Sequence, residues 1–119
     1  MRFISTKIHG FLDYLVGIFL VACPWIFRLN ANSPEGAIFI VLGITAFAYS
    51  IFTNYELGLI RVLPVKFHLA LDILSGLILA ASPWMFKFHD MVYLPHLVLG
   101  LFEIAAGLMT QTKAWPKIK

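Results

Sequence analysis

The sequence predicts an all-α, four-transmembrane-helix bundle built from two parallel two-helix repeats. Three observations carry that reading: a strongly apolar composition, four apolar stretches long enough to cross a bilayer, and a duplicated segment whose copies run in the same direction. The 119 residues are 61% hydrophobic and 13% charged, with a mean hydropathy of +0.87. A soluble domain carries about twice that charged fraction. A water-soluble domain, a disordered chain and a disulfide-stapled secreted module are thereby excluded. Cys23 is the single cysteine, so no intramolecular disulfide can form. The net charge of +3 is spread over segment ends rather than gathered in a patch, which speaks against nucleic acid as a partner.

The apolar stretches cover residues 8–27, 36–55, 67–86 and 92–111. As a helix each spans about 30 Å, the hydrocarbon thickness of a bilayer. The runs are long and lack strict alternation, which excludes strands. The links are short and hold turn formers: Asn30, Asn32, Ser33 and Pro34 in the first, Gly58 and Pro64 in the second, His89 and Asp90 in the third. Short links make consecutive helices antiparallel neighbours. Four spans leave no room for a second domain, so residues 1–119 are read as a single integral membrane domain. Arg2, Lys7, Arg61, Lys66, Lys113, Lys117 and Lys119 fall on one side, Arg28 and Lys87 on the other. Seven against two predicts that both termini are cytoplasmic in a multi-pass protein of the cell (plasma) membrane. Trp25 and Trp84 then lie at the outer interface and Trp115 at the inner one. The run Leu20 to Cys23 is lipobox-like, but Asp13 interrupts the apolar core that a signal peptide needs. Cys23 is therefore read as a small residue within a helix.

Residues 7–27 and 66–86 are identical at eleven of 21 positions at an offset of 59. The shared residues include Lys7/Lys66, His9/His68, Asp13/Asp72, Gly17/Gly76, Pro24/Pro83 and Trp25/Trp84. The second and fourth segments match weakly at an offset of 57, through Gly43/Gly100 and Thr53/Thr110. Repeat 1 thus covers about residues 7–55 and repeat 2 about residues 66–111, related by an axis along the membrane normal.

The triplets Cys23-Pro24-Trp25 and Ser82-Pro83-Trp84 each close an apolar helix, with a glycine seven residues before the proline. In this they resemble the SPW-repeat membrane proteins of bacteria and archaea. The resemblance implies the two-copy, four-helix layout and an inner-membrane location; it brings no biochemical activity and no catalytic residues. The chain departs from the pattern in carrying Cys23 for the first serine. Proline removes a helical hydrogen bond; here the pair is expected to stop or kink each helix, with Ser82 bonding a freed carbonyl and the tryptophans anchoring among headgroups.

The residues that carry chemistry are His9, Asp13, His68, Asp72 and Glu103. A carboxylate within a span is costly and faces the bundle interior or a water-filled cavity. His9, Asp13 and Gly17 share one helix face, as do His68, Asp72 and Gly76, and His96, Gly100, Glu103 and Gly107. Small residues on these faces permit close helix approach. Thr45, Tyr49 and Thr53 give the second segment a hydroxyl stripe. Both aspartates are expected about one turn in from the cytoplasmic ends, and Glu103 about 2–3 Å from the bilayer centre. His96 is expected at the outer boundary, and His89 with Asp90 in a solvated turn.

Three readings of the His/Asp pairs stay open: packing, a proton or cation pathway that includes Glu103, and a metal site with His9, Asp13, His68 and Asp72 as its ligands. No motif calls for a cofactor other than a metal ion. No nucleophile stands beside a base and no phosphate loop is present, so an enzyme is not expected. The working expectations are a small membrane protein that conducts protons or cations, or a structural, partner-binding subunit with no transport activity. The lipid bilayer is the first partner; glycine faces also allow a homo-oligomer or another membrane protein. A pathway requires Glu103 and the His/Asp pairs to converge on one hydrated cavity, whereas packing predicts dry, directly bonded pairs.

Overall fold

The computed structural model describes residues 2–113; Trp115, Lys117 and Lys119 lie outside that range. Four helices follow one another: α1 (Thr6–Ile26), α2 (Pro34–Ile51), α3 (Val65–Met85) and α4 (Leu94–Met109). Among the described residues there is no strand, only two isolated bridges. The helices α1, α2 and α3 are long and apolar enough to cross a membrane; α4, with 16 residues, is shorter. The expected fourth span of 92–111 thus shrinks at both ends. The second also ends early: residues 52–55, included for their apolarity, form a loop. Tyr55 is 1% exposed there, so its apolar character reports burial rather than helix.

The helix starts are legible in local chemistry. Ser5 caps α1 by accepting a 3.2 Å hydrogen bond from the Ile8 N–H. Proline occupies the first turn of α2 and of α4, where its missing N–H costs nothing. The ends of α1 and α3 are alike. Leu29 N–H donates to Pro24 O at 2.6 Å and Phe88 N–H to Pro83 O at 2.8 Å, the Schellman closure. The residues turned to positive φ are Arg28 (56°) and Lys87 (59°) rather than glycine. Such a side chain costs roughly 1–2 kcal/mol in this conformation, offset in part by a positive charge at the helix's negative end.

Pro83 withholds the hydrogen bond that Leu79 O would receive, and Ser82 Oγ supplies it at 2.7 Å. Its counterpart Cys23 is fully buried and free. Replacing Cys23 with serine should therefore raise stability by about 1 kcal/mol, read as a higher Tm in detergent; a lower Tm would contradict this account.

Helix α1 packs on α2, α3 on α4, and α2 bridges the two pairs along α3. Each hairpin closes through glycine. A Cβ on Gly43 would stand 2.8 Å from Gly17 O, and one on Gly100 would stand 2.6 Å from Gly76 O. In a bilayer, where lipid removes the hydrophobic drive between helices, such close backbone packing holds them together.

The interior is divided along the bundle. Leu20, Cys23, Phe39, Leu42 and Leu79 fill the half nearer the Pro-Trp ends. Buried polar side chains fill the other half: Thr6, His9, Thr53, His68, Asp72 and Thr110. Exposed apolar side chains such as Phe11, Leu15, Ile18, Leu74 and Leu77 cover the outside, the reverse of a soluble protein and the arrangement a lipid solvent favours.

The ends of the polar half are tied together by backbone bonds. Ile4 N–H donates to Met109 O (3.0 Å), and Ile4 O accepts from the Gln111 N–H (2.8 Å). Leu63 N–H donates to Phe52 O (2.7 Å), and Leu63 O accepts from the Asn54 N–H (2.7 Å). These are the same two bonds shifted by 59 on one side and 57 on the other, each joining one half of the chain to the other half. The loop 52–64 lies over this end of the bundle: Leu57 O accepts from Tyr14 (2.8 Å) and Glu56 Oε1 from Thr6 (2.6 Å).

Candidate functional site

His9 and Asp13 stand one turn apart on α1, His68 and Asp72 one turn apart on α3, and the two pairs meet face to face. His9 Nε2 lies 3.0 Å from Asp13 Oδ1 and 2.7 Å from Asp72 Oδ2. His68 Nε2 lies 2.9 Å from Asp13 Oδ2 and 3.2 Å from Asp72 Oδ2. One ligand atom from each of the four residues lies within 4.8 Å of every other. Both imidazoles are buried, with ring centroids 5.4 Å apart.

The outer nitrogens fix the protonation pattern. Thr53 Oγ1 donates to Tyr49 O (2.7 Å) and Thr110 Oγ1 donates to Ala106 O (2.6 Å). A hydroxyl has one proton, so each threonine can only accept from the histidine it touches. Nδ1–H of His68 donates to Thr53 and Nδ1–H of His9 donates to Thr110, both at 2.6 Å. The tautomer follows from this network. Both Nε2 atoms therefore face the carboxylates as lone pairs unless a proton or a cation stands between them.

Direction sharpens the point. His9 Nε2 and Asp72 Oδ2 have hydrogen-bond geometry. His68 Nε2, on a fully buried ring, has no hydrogen-bond partner among the described residues, although two carboxylate oxygens are within 3.2 Å. It misses them by angle rather than by distance. Phenols hold the carboxylates: Tyr49 donates to Asp72 Oδ1 (2.5 Å), the oxygen turned from the histidines, and Tyr55 to Asp13 Oδ2 (2.7 Å), the oxygen that faces His68. Burial, then the Asp13 charge, pushes the Tyr55 phenol above its ordinary pKa, so it stays a donor.

A cavity of about 20 Å3 adjoins the cluster, lined by His9, Asp13, Ala46, Asp72, Glu103 and Ala106 among others. Glu103, expected deeper in the bundle, is brought to the same place. Its Oε1 is buried without a hydrogen-bond partner among the described residues.

All five polar residues singled out in the sequence thus converge. The motif Cys23-Pro24-Trp25 and Ser82-Pro83-Trp84 does not join them. It sits at the far ends of α1 and α3, with Cys23, Pro24, Ser82 and Pro83 buried and the two tryptophans exposed. His96 stands in the first turn of α4. It is fully buried, its Nε2–H donating to Glu35 O at 2.8 Å, because the ring packs 4.2 Å from Phe39 in the apolar half. His89 and Asp90 form an exposed turn pair at 3.4 Å. Thr45 bonds Val41 O of its own helix and stays outside the site. Sequence reasoning missed Tyr55 and the part played by Thr53 and Thr110. The two threonines did carry a signal, a hydroxyl kept at the same place in both copies; Tyr55 carried none.

Helices apolar enough to span a bilayer, with charge-bearing side chains turned inward, define a small multi-pass helical membrane protein with a buried polar centre. The model of the SPW repeat domain matches residues 7–110, and the chain belongs to that family. Searches of curated proteins and of solved structures find no match.

Proposed function

We propose that the protein binds one divalent transition-metal ion inside the bundle, with His9, Asp13, His68 and Asp72 as ligands. One observation carries the reading: both histidines spend their Nδ1–H on threonines whose own protons are committed elsewhere. Metal-ligating histidines are oriented in this way, donating the second ring N–H to a fixed acceptor. Two neutral imidazoles and two carboxylates suit zinc and its first-row neighbours, and the two negative charges balance a dication. Bonds of 2.0–2.1 Å place tetrahedral ligands about 3.3 Å apart; the His–Asp contacts here are 2.7–3.2 Å and the four ligand atoms lie within 4.8 Å of one another, so the side chains must readjust around the ion.

The ion is held rather than passed through, because Leu20, Phe39 and Leu79 pack the other half of the axis. Conduction requires that packing to part. The bias of basic residues supports a cell-membrane protein with both termini and the metal end on the cytoplasmic side. The role is binding, not catalysis. A structural reading is favoured by the short contacts themselves: with protons on both Nε2 atoms, the same four groups form ion pairs that lock α1 to α3.

Elemental analysis decides between them. Protein purified into lipid nanodiscs and equilibrated with zinc should hold about one equivalent per chain, and Asp72→Asn and His68→Gln should hold none. No bound metal in the wild type establishes the structural reading. Undiminished metal in both variants overturns the assignment of the ligands.

A further inference from the structure

Among the positions at which the two halves of the chain differ, two stand beside the metal ligands at one crevice. Tyr49 on α2 fills the space next to His68, its ring edge-on at 4.8 Å, and donates to Asp72. The residue 57 further on is Ala106; it leaves the cavity of about 20 Å3 between α1 and α4. Ala46 is matched in the same way by Glu103, and both line that cavity. Where one half of the chain has a filler and a methyl group, the other has room and a carboxylate.

The room and the carboxylate fit one small ligand. A water needs about 10–15 Å3 and two to four polar partners. The cavity offers the volume, and Glu103, Asp13 and Asp72 line it. Glu103 Oε1 has no hydrogen-bond partner among the described residues, and the residue is 7% exposed. We infer that a single water bridges Glu103 to the ion in the His9/Asp13/His68/Asp72 centre, giving the ion a fifth, exchangeable ligand with Glu103 as its positioning residue. The inference rests on the metal-binding reading. It deepens that reading, because closed four-ligand sites are structural whereas sites with an open position exchange ligands. The α1–α4 crevice is then the route by which the ion is taken up and released.

Cobalt(II) is the probe. In nanodisc-embedded protein, five-coordinate cobalt gives weak visible bands and tetrahedral cobalt gives strong ones. The wild type is expected to show the weak pattern. Glu103→Ala, which restores the residue of the other half, and Ala106→Leu, which fills the crevice, are each expected to strengthen the bands. Ala106→Leu, which also closes the crevice, should slow extraction of cobalt by a chelator. Glu103→Ala adds no bulk, so one variant remains if Ala106→Leu fails to fold. Strong wild-type bands, or weak bands unchanged by Glu103→Ala, overturn the bridging water while leaving the metal site standing. A wild type that takes up no cobalt overturns the metal site and this inference with it.

Discussion

Thr53→Val should weaken metal binding by about 10- to 100-fold, with Thr110→Val matching it and the double variant losing more than either. Valine keeps the shape of threonine and removes the hydroxyl. The His68 Nδ1–H then loses its acceptor inside a buried site, and the ring loses what holds its Nε2 toward Asp13 and Asp72. An unsatisfied buried donor costs about 1–3 kcal/mol, so the metal-free protein should also melt lower. Thr45→Val is the control: its hydroxyl is exposed and bonds only its own helix. A competition titration with a chelating dye measures the affinities. Wild-type affinity in Thr53→Val and Thr110→Val would show that the threonines do not set the histidine tautomers.

Gly100→Ala should cost about 3 kcal/mol or more. The added Cβ would stand 2.5 Å from Ala80 N and 2.6 Å from Gly76 O. Both are backbone atoms, so α3 and α4 must separate as rigid bodies. Gly107→Ala, on the same helix, meets chiefly the Ile73 side chain at 2.7 Å, with backbone no nearer than Leu69 O at 3.1 Å. A side chain can turn aside, and a milder loss is expected. Thermal unfolding of the two variants in one detergent tests the contrast; equal losses would mean that helix approach at Gly76 and Gly100 is not limiting.

Much of this could be read from the chain, for identifiable reasons. Helix number, order and inward faces follow from hydropathy and from the period of His9, Asp13 and Gly17, because a lipid solvent permits few alternatives. The offset of 59 that pairs His9 with His68 also forecast that their faces would be alike. What hydropathy could not show was the loop at 52–55, since Tyr55 is apolar for the sake of burial. Nor could it show that Glu103 and the aspartates share a cavity, which depends on how the two hairpins meet. Hydropathy also could not show that His96, near the outer end of α4, has its ring buried against Phe39 and donating to Glu35 O.

The contacts at the polar end cross between the halves of the chain: His9 with Thr110 and Asp72, His68 with Thr53 and Asp13. Neither hairpin owns a finished centre. A lone hairpin carries one histidine, one aspartate and one threonine, and two identical hairpins facing each other would supply the full set. Identical partners, however, cannot differ from one another. A tyrosine on one side with an alanine on the other, and a glutamate opposite a methyl group, become available only when both hairpins lie on a single chain. Covalent linkage adds no donor to the centre; it gives each side of the pair its own freedom to vary, and the crevice at Ala106 and Glu103 is where the two sides differ.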